Sequence, residues 1–401
     1  VDYYRTYVSL LRELGVPTKD VRSDGTYYGE GDRIDGTYDA ESWRILVKAL
    51  TTVGLGRLWR MRRVLGSIGT EEERDGTGRT FGDWLRENFD LDIPPSEPNE
   101  GTENGSARAA DGNGHANGHA PTDGNNDGKD KAKAQKAAAV DLPALTLASN
   151  DPLLHILTGS LCWMLSCSYS DLITYPSDIV LPYLAGLNMS SLGLFQEKSC
   201  VRVYPTVRAL ERALLYGVEV LECGVRISDL DAKKSKTIGG IDYDAVVVAT
   251  EACSVRNVLR DPPNVFERVK YRDVEVTVHT DPTVMPRSRK DWRCWNLEQR
   301  VESSEPQFNV WLNAFYCVRS QKDGGDDGSG GADFFQTSDQ FRTPDPSKVL
   351  SRSHFRRVVH TLETRDLVEE IRALSGRDGI YYCGSYSVYG MGLLEEALKS
   401  G

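Results

Sequence analysis

Tyr382-Cys-Gly-Ser-Tyr-Ser-Val-Tyr-Gly-Met-Gly-Leu-Leu-Glu-Glu-Ala-Leu-Lys-Ser-Gly401 closes the chain, and its reading decides the fold. With Ile380 and Tyr381 ahead of it, the stretch predicts a short buried strand ending at Gly384, a glycine-rich turn, and a helix from about Leu393. A strand, a turn and a helix start aim unpaired backbone N–H groups and the positive end of the helix dipole at one point. Such a point can hold a phosphate or stabilise negative charge on a ligand ring. A helix start that only meets water is the competing reading; the cluster Gly384, Gly390 and Gly392 favours a ligand.

Working outward, Val218-Glu-Val-Leu-Glu-Cys-Gly-Val-Arg-Ile-Ser228 leads to Ile241-Asp-Tyr-Asp-Ala-Val-Val-Val-Ala-Thr250. A strand, a turn and a buried β run ending in small residues is what a nucleotide-binding α/β sheet needs, because small side chains there let a ligand approach the backbone. Taken alone, the run reads equally as an ordinary core strand. Between these segments lie Val278–Asn296 and Asn309-Val-Trp-Leu-Asn313, rich in aromatic and amide groups. They can line a substrate cavity, or Trp292, Trp295 and Trp311 can be core aromatics, each with one satisfied N–H.

The remaining chain sets the frame. With 401 residues, 39% of them hydrophobic, it can bury one large or two medium domains. A net charge of −11 argues against a nucleic-acid partner. No apolar run is long enough to span a membrane. Eight irregularly spaced cysteines suit a reducing, cytoplasmic setting. Residues 3–14, 41–66 and 80–89 have helical periodicity, with Trp43, Leu46, Leu50, Leu58, Trp84 and Leu85 as inward positions. Residues 96–139 contain no aromatic, Leu, Ile or Val and cannot offset their ordering entropy. His115 and His119 within them read as incidental. Cys162 and Cys167 read as small buried hydrophobes, and no metal site is expected. The expected organisation is a helical cap part over 1–95, a disordered insertion over 96–140, and further cap over 141–206. A cofactor-binding segment over 207–262, substrate-domain strands over 263–362 with a loop at 320–332, and a second cofactor-binding segment over 363–401 complete it.

Together these segments resemble the flavin-containing amine oxidase-like, FAD/NAD(P)-binding oxidoreductases, in particular the predicted NAD/FAD-binding protein branch. The resemblance also runs through Leu10–Pro17, Gly82–Asn88, Trp163–Ser177, Ile179–Leu181 and His279–Pro286. It implies an α/β (α+β) fold: a discontinuous Rossmann-like FAD domain and a mixed sheet-plus-helix substrate domain. It further implies that Val225 meets the adenine and that Ala249 and Thr250 close a strand beside the dinucleotide. Gly384, Ser385 and Tyr386 would lie near the ribityl and pyrophosphate, and Gly392, Leu393 and Leu394 would present N–H groups to the flavin C2 carbonyl. Trp295, Asn296 and Trp311 would line the substrate cavity.

The departures from the family pattern carry their own expectation. No GxGxxG follows a strand: Gly54-Leu-Gly56 lacks a third glycine, and Gly112-Asn-Gly114 falls in the low-complexity tract. Tyr204-Pro205-Thr206 stands where relatives carry a glycine-rich turn, and Met391–Glu396 replaces the branch's usual closing motif. Both ends of the chain read as cut, so a fragment that holds FAD poorly by itself is expected. The function expected is hydride-equivalent transfer from a small apolar or amine substrate to flavin, with oligomeric state open. The alternative is a non-catalytic binding or scaffold protein on the same fold. No catalytic residue is nominated; His279 reads as a structural histidine, and the family's flavin-side lysine has no assigned place in this sequence, Lys290 being only a neighbour in sequence.

Overall fold

The computed structural model describes residues 2–21, 25–29, 36–38, 56, 59, 63, 64, 78–89, 152–186, 200–219, 227, 230, 231, 236–238, 241–299, 306–316, 332–338 and 342–401. Val225, most of 41–66, the 96–140 tract and the 322–331 loop lie outside the described residues. In chain order the strands are β1 (Thr18–Val21), β2 (Gly25–Gly29), β3 (Gly36–Tyr38), β4 (Cys200–Val203), β5 (Thr237–Ile238), β6 (Ile241–Asp242), β7 (Val246–Val248), β8 (Lys270–His279), β9 (Trp295–Gln299), β10 (Gln307–Trp311), β11 (Phe335–Ser338), β12 (Val349–Val359) and β13 (Ile380–Tyr382).

The largest sheet has the order β12-β8-β11-β10-β9-β2-β3 and is antiparallel except where β2 runs parallel to β9. Alternation along β9 and β10 gives it two unlike faces. Trp295 lies opposite Val310 and Leu297 opposite Phe308, and this apolar face packs on Trp163 of the helix Pro152–Leu165. The other face carries Asn296, Glu298, Gln307, Asn309, Thr337, Thr277 and His279, and every one of these is 0% exposed. Such a surface survives burial only if its polar groups bond one another.

A second core lies under the short parallel pair β7–β13, where Ile380 pairs with Val246 and Tyr382 with Val248. Val248, Ile380 and Tyr382 close it with Phe266, Leu367 and Ile371. A third core is helical, with Trp84, Leu161, Tyr175 and Tyr183 from four separate helices or turns. There the helix Pro152–Leu165 ends in a fold-back: Ser166 has φ +50°, and the Cys167 N–H bonds Cys162 O at 3.0 Å. Cys162 and Cys167 are both buried. Arg357 of β12 and Arg272 of β8 donate to the carbonyls of Met164 and Ser166, placing cations at the negative helix end. This contact fixes β12 beside the helical core.

Residues 18–38 depart from the helical expectation. The helix Arg5–Glu13 is present, yet 18–38 contributes three strands. Their partners, β4 and β9, come from far along the chain, so local periodicity could not reveal them. No helix among the described residues is long and apolar enough to cross a membrane.

Candidate functional site

At the carboxyl ends of β7 and β13 the chain encloses a cavity of about 200 Å³. Thr250 and Glu251 enter it just after β7, and Gly384, Ser385 and Tyr386 just after β13. Tyr271 of β8, Arg356, Arg357 and Val358 of β12, and Gly392 of the last turn form the remaining walls. Five positions singled out in the sequence, Thr250, Gly384, Ser385, Tyr386 and Gly392, therefore meet around one space. Ala249 is exposed beside it, Leu393 is half-buried, and Leu394 is 48% exposed; none of these three lines the cavity.

Two glycines are required by close approach. A Cβ at Gly384 would stand 2.6 Å from the Tyr386 ring, so only glycine lets that ring fold back over the turn. Gly392 has φ +65°, and a Cβ there would lie 3.0 Å from His360 Nε2. On the electrostatic side, two guanidinium groups face one carboxylate. Arg356 pairs with Glu251, while Arg357 donates to helix-end carbonyls. The Tyr271 hydroxyl accepts the Ala252 N–H at 2.8 Å. Burial raises the pKa of Tyr271 and of Tyr386, so both hydroxyls stay neutral donors at ordinary pH. The result is a net positive wall with several neutral hydroxyls.

The closing helix, Leu394–Lys399, uses its own acids. Glu396 Oε2 accepts the Leu393 N–H at 3.1 Å, and Tyr3 donates its hydroxyl proton to Glu396 Oε1 at 2.5 Å. The Leu393 N–H, read from the sequence as facing a ligand, is thus bonded within the chain. Glu395 accepts the Thr6 and Tyr7 N–H groups, each at 2.9 Å, at the start of the helix Arg5–Glu13. Burial would raise its pKa, but these bonds outweigh burial and hold it below the ordinary value.

The three residues read as substrate-cavity walls are engaged elsewhere. Trp295 packs on Trp163 at 4.5 Å and on Phe308 and Phe315. Asn296 accepts from the Arg293 N–H and donates to the carbonyls of Arg293 and Asn309. Trp311 donates to Asp333 at 3.1 Å and stands edge-on to Trp292. His279 Nδ1 accepts the Asp281 N–H at 3.1 Å, so its proton sits on Nε2 and goes to Thr337 Oγ1 at 2.8 Å. Burial lowers the His279 pKa to about 4, partly against Asp281. Neutral and doubly bonded, it is a structural group. Lys290 lies on the surface.

One group beside the cavity was not singled out in the sequence. His360, 1% exposed, stands one residue past β12, its ring edge-on to Tyr175 at 5.3 Å. Tyr386, read from the sequence as part of the turn, lines a smaller cavity together with His360. No periodicity marks His360; only the meeting of β12 with the last turn brings it to the site.

For FAD the fit is to one end. A cavity of about 200 Å³ is below the roughly 300–1,000 Å³ of whole ligand pockets. Its positive wall and its glycine-lined backbone suit a phosphate or an electron-rich ring edge. Among the described residues no strand–glycine turn–helix unit of the dinucleotide type adds the rest. No group of three or more described His, Cys, Asp or Glu side chains is placed to hold a metal ion.

Comparison with known proteins bears on the fold. No protein-family model and no curated protein sequence matches the chain. Among solved structures, the CLA-producing fatty acid isomerase from P. acnes matches over 99% of this chain and 82% of its own, at 10% identity and a TM-score of 0.51. The cyclohexylamine oxidase from Brevibacterium oxydans IH-35A matches over 100% and 83%, at 9% identity and a TM-score of 0.48. A putrescine oxidase bound to putrescine matches over 98% and 83%, at 11% identity and a TM-score of 0.47. The isomerase likeness shows the fold alone: a mixed helix-and-sheet chain with the architecture of that isomerase.

Proposed function

We propose that this chain belongs to an FAD-dependent oxidoreductase of the amine oxidase-like kind, acting on a small apolar or amine substrate. The observation that carries this reading is the meeting of Thr250, Gly384, Ser385, Tyr386 and Gly392 around one positively walled cavity at the carboxyl ends of parallel strands. Bound flavin supplies the redox chemistry, accepting a hydride equivalent from the substrate. The protein's part is placement and charge. Arg356 and Arg357 set a positive potential, Thr250 and Ser385 offer hydroxyls, and Gly384 and Gly392 keep the backbone open to close approach. Val225, which lies outside the described residues, keeps its adenine-side role in this proposal, as do Ala249, Leu393 and Leu394 on the ligand's rim. The described residues serve one end of the cofactor in this proposal.

The test is a titration of FAD with the purified chain, followed by flavin fluorescence and absorbance. Saturable quenching with a shifted spectrum, lost in Gly392→Trp, supports the reading; unchanged flavin at millimolar protein overturns it. The bonding of the Leu393 N–H to Glu396 favours a second reading, a non-catalytic binding module on the same fold. Flavin that binds saturably but is not bleached anaerobically by any of a panel of amines and unsaturated fatty acids would select it.

A further inference from the structure

Behind the candidate site lies a second, far smaller cavity of about 10 Å³, walled by His360, Tyr386, Thr361, Ser385 and the apolar side chains of Val358 and Val388. His360 is 1% and Tyr386 5% exposed. Among the described residues, neither ring nitrogen of His360 nor the Tyr386 hydroxyl makes a well-formed hydrogen bond; only the Met391 backbone approaches the His360 ring, which raises its pKa slightly against the effect of burial. Leaving a buried polar atom unsatisfied costs roughly 1–3 kcal/mol. Poorly satisfied polar atoms on two rings that line one cavity are therefore a strong demand for a shared partner.

The space and its chemistry specify that partner. A cavity of about 10–15 Å³ takes one water, provided two to four polar groups surround it. Burial keeps His360 neutral, so one of its nitrogens donates and the other accepts. The Tyr386 hydroxyl can both donate and accept, and the Ser385 and Thr361 hydroxyls stand in the same wall. We propose that this cavity is a binding site for a single ordered water that joins His360 to the Tyr386 hydroxyl.

The site has a consequence for its neighbour. Tyr386 and Gly392 both wall the larger cavity, and His360 Nε2 lies directly against Gly392. A water joining His360 to Tyr386 ties the turn after β13 to the last turn of the chain, from behind. His360 is then a positioning residue for the larger cavity, whatever ligand that cavity takes.

Tyr386→Phe, His360→Leu and the double variant test this by thermal unfolding and by amide exchange. Tyr386→Phe is expected to lower the midpoint by on the order of 2 °C and to speed exchange in Gly384–Gly392 specifically. The double variant is expected to lose less than the two single losses added. A Tyr386→Phe midpoint at or above that of the parent chain overturns the proposal, because deleting a truly unpartnered hydroxyl relieves the protein; strict additivity overturns it as well. Should His360→Leu not fold, a crystal structure of the parent chain near 2 Å decides. Density for a water within hydrogen-bond reach of both groups is expected; direct His360–Tyr386 contact or a dry cavity contradicts it.

Discussion

Two histidines of this protein are almost fully buried and held neutral, each with a pKa lowered to about 4, yet their surroundings are opposite. His279 sits in a closed network on the polar face of the large sheet. Asp281 N–H, Thr337, Asn309 and Gln307 follow one another at 2.7–3.1 Å, and Asn309 also donates to Val284 O. His360 makes no well-formed hydrogen bond within the chain, only the Met391 backbone approaching its ring. A satisfied buried network specifies a fold, while an unsatisfied one marks where something else has to bind. On the proposed reading, the large sheet is scaffold and the corner under β7 and β13 takes the ligand.

Acid should probe both histidines at once, with the largest effect. Each folded-state pKa lies below the unfolded value of about 6.5, so the unfolded chain takes its proton first. Their contribution to stability is full above pH 6.5, falls as the pH drops, and is lost on passing about 4. On the order of 3 kcal/mol per histidine is at stake. Unfolding measured across this window should show a slope that His360→Leu reduces; an unchanged slope would mean that His360 is not held neutral.

Asn309→Leu should come next, at about 3 kcal/mol, because it strands Thr337, Gln307 and the Val284 carbonyl together. A loss below about 1 kcal/mol in denaturant unfolding would erase the contrast between the two regions. Gly392→Ala is expected to lose about 2 kcal/mol, from its positive φ and its contact with His360. Gly376→Ala, with φ +89° but its nearest neighbour at 3.4 Å, should lose about half that. Equal losses would show that the ring of His360 gives way freely. Smallest is Glu395→Gln, at about 1 kcal/mol, through the weakened cap on the helix Arg5–Glu13. Thermal unfolding at neutral pH reads it.

Legibility in the sequence followed the same divide. The run Val246–Val248, the strand Ile380–Tyr382 and the helix Thr364–Leu374 carry local signals, and the first two point at the cavity. Thr250, Gly384 and Gly392 carry local signals, small residues at a strand end and in a turn, whereas Ser385 and Tyr386 were named only through the family resemblance. β12, the longest strand, could not: Arg352, His354, Arg356 and Arg357 interrupt any alternation, and its outer residues stay exposed. It forms because β8 pairs along its length, which no window of sequence shows. His360 was hidden for the same reason. The aromatic stretch Trp292–Asn296 misled in the other direction, since aromatic and amide richness describes a sheet core as well as a substrate wall.

The most direct test of the central claim is amide hydrogen exchange on the purified chain with and without saturating FAD. Slowed exchange confined to Val248–Glu251 and Gly384–Leu394 is the predicted result. Protection elsewhere, with these two segments unchanged, would contradict the assignment of the cofactor to this corner.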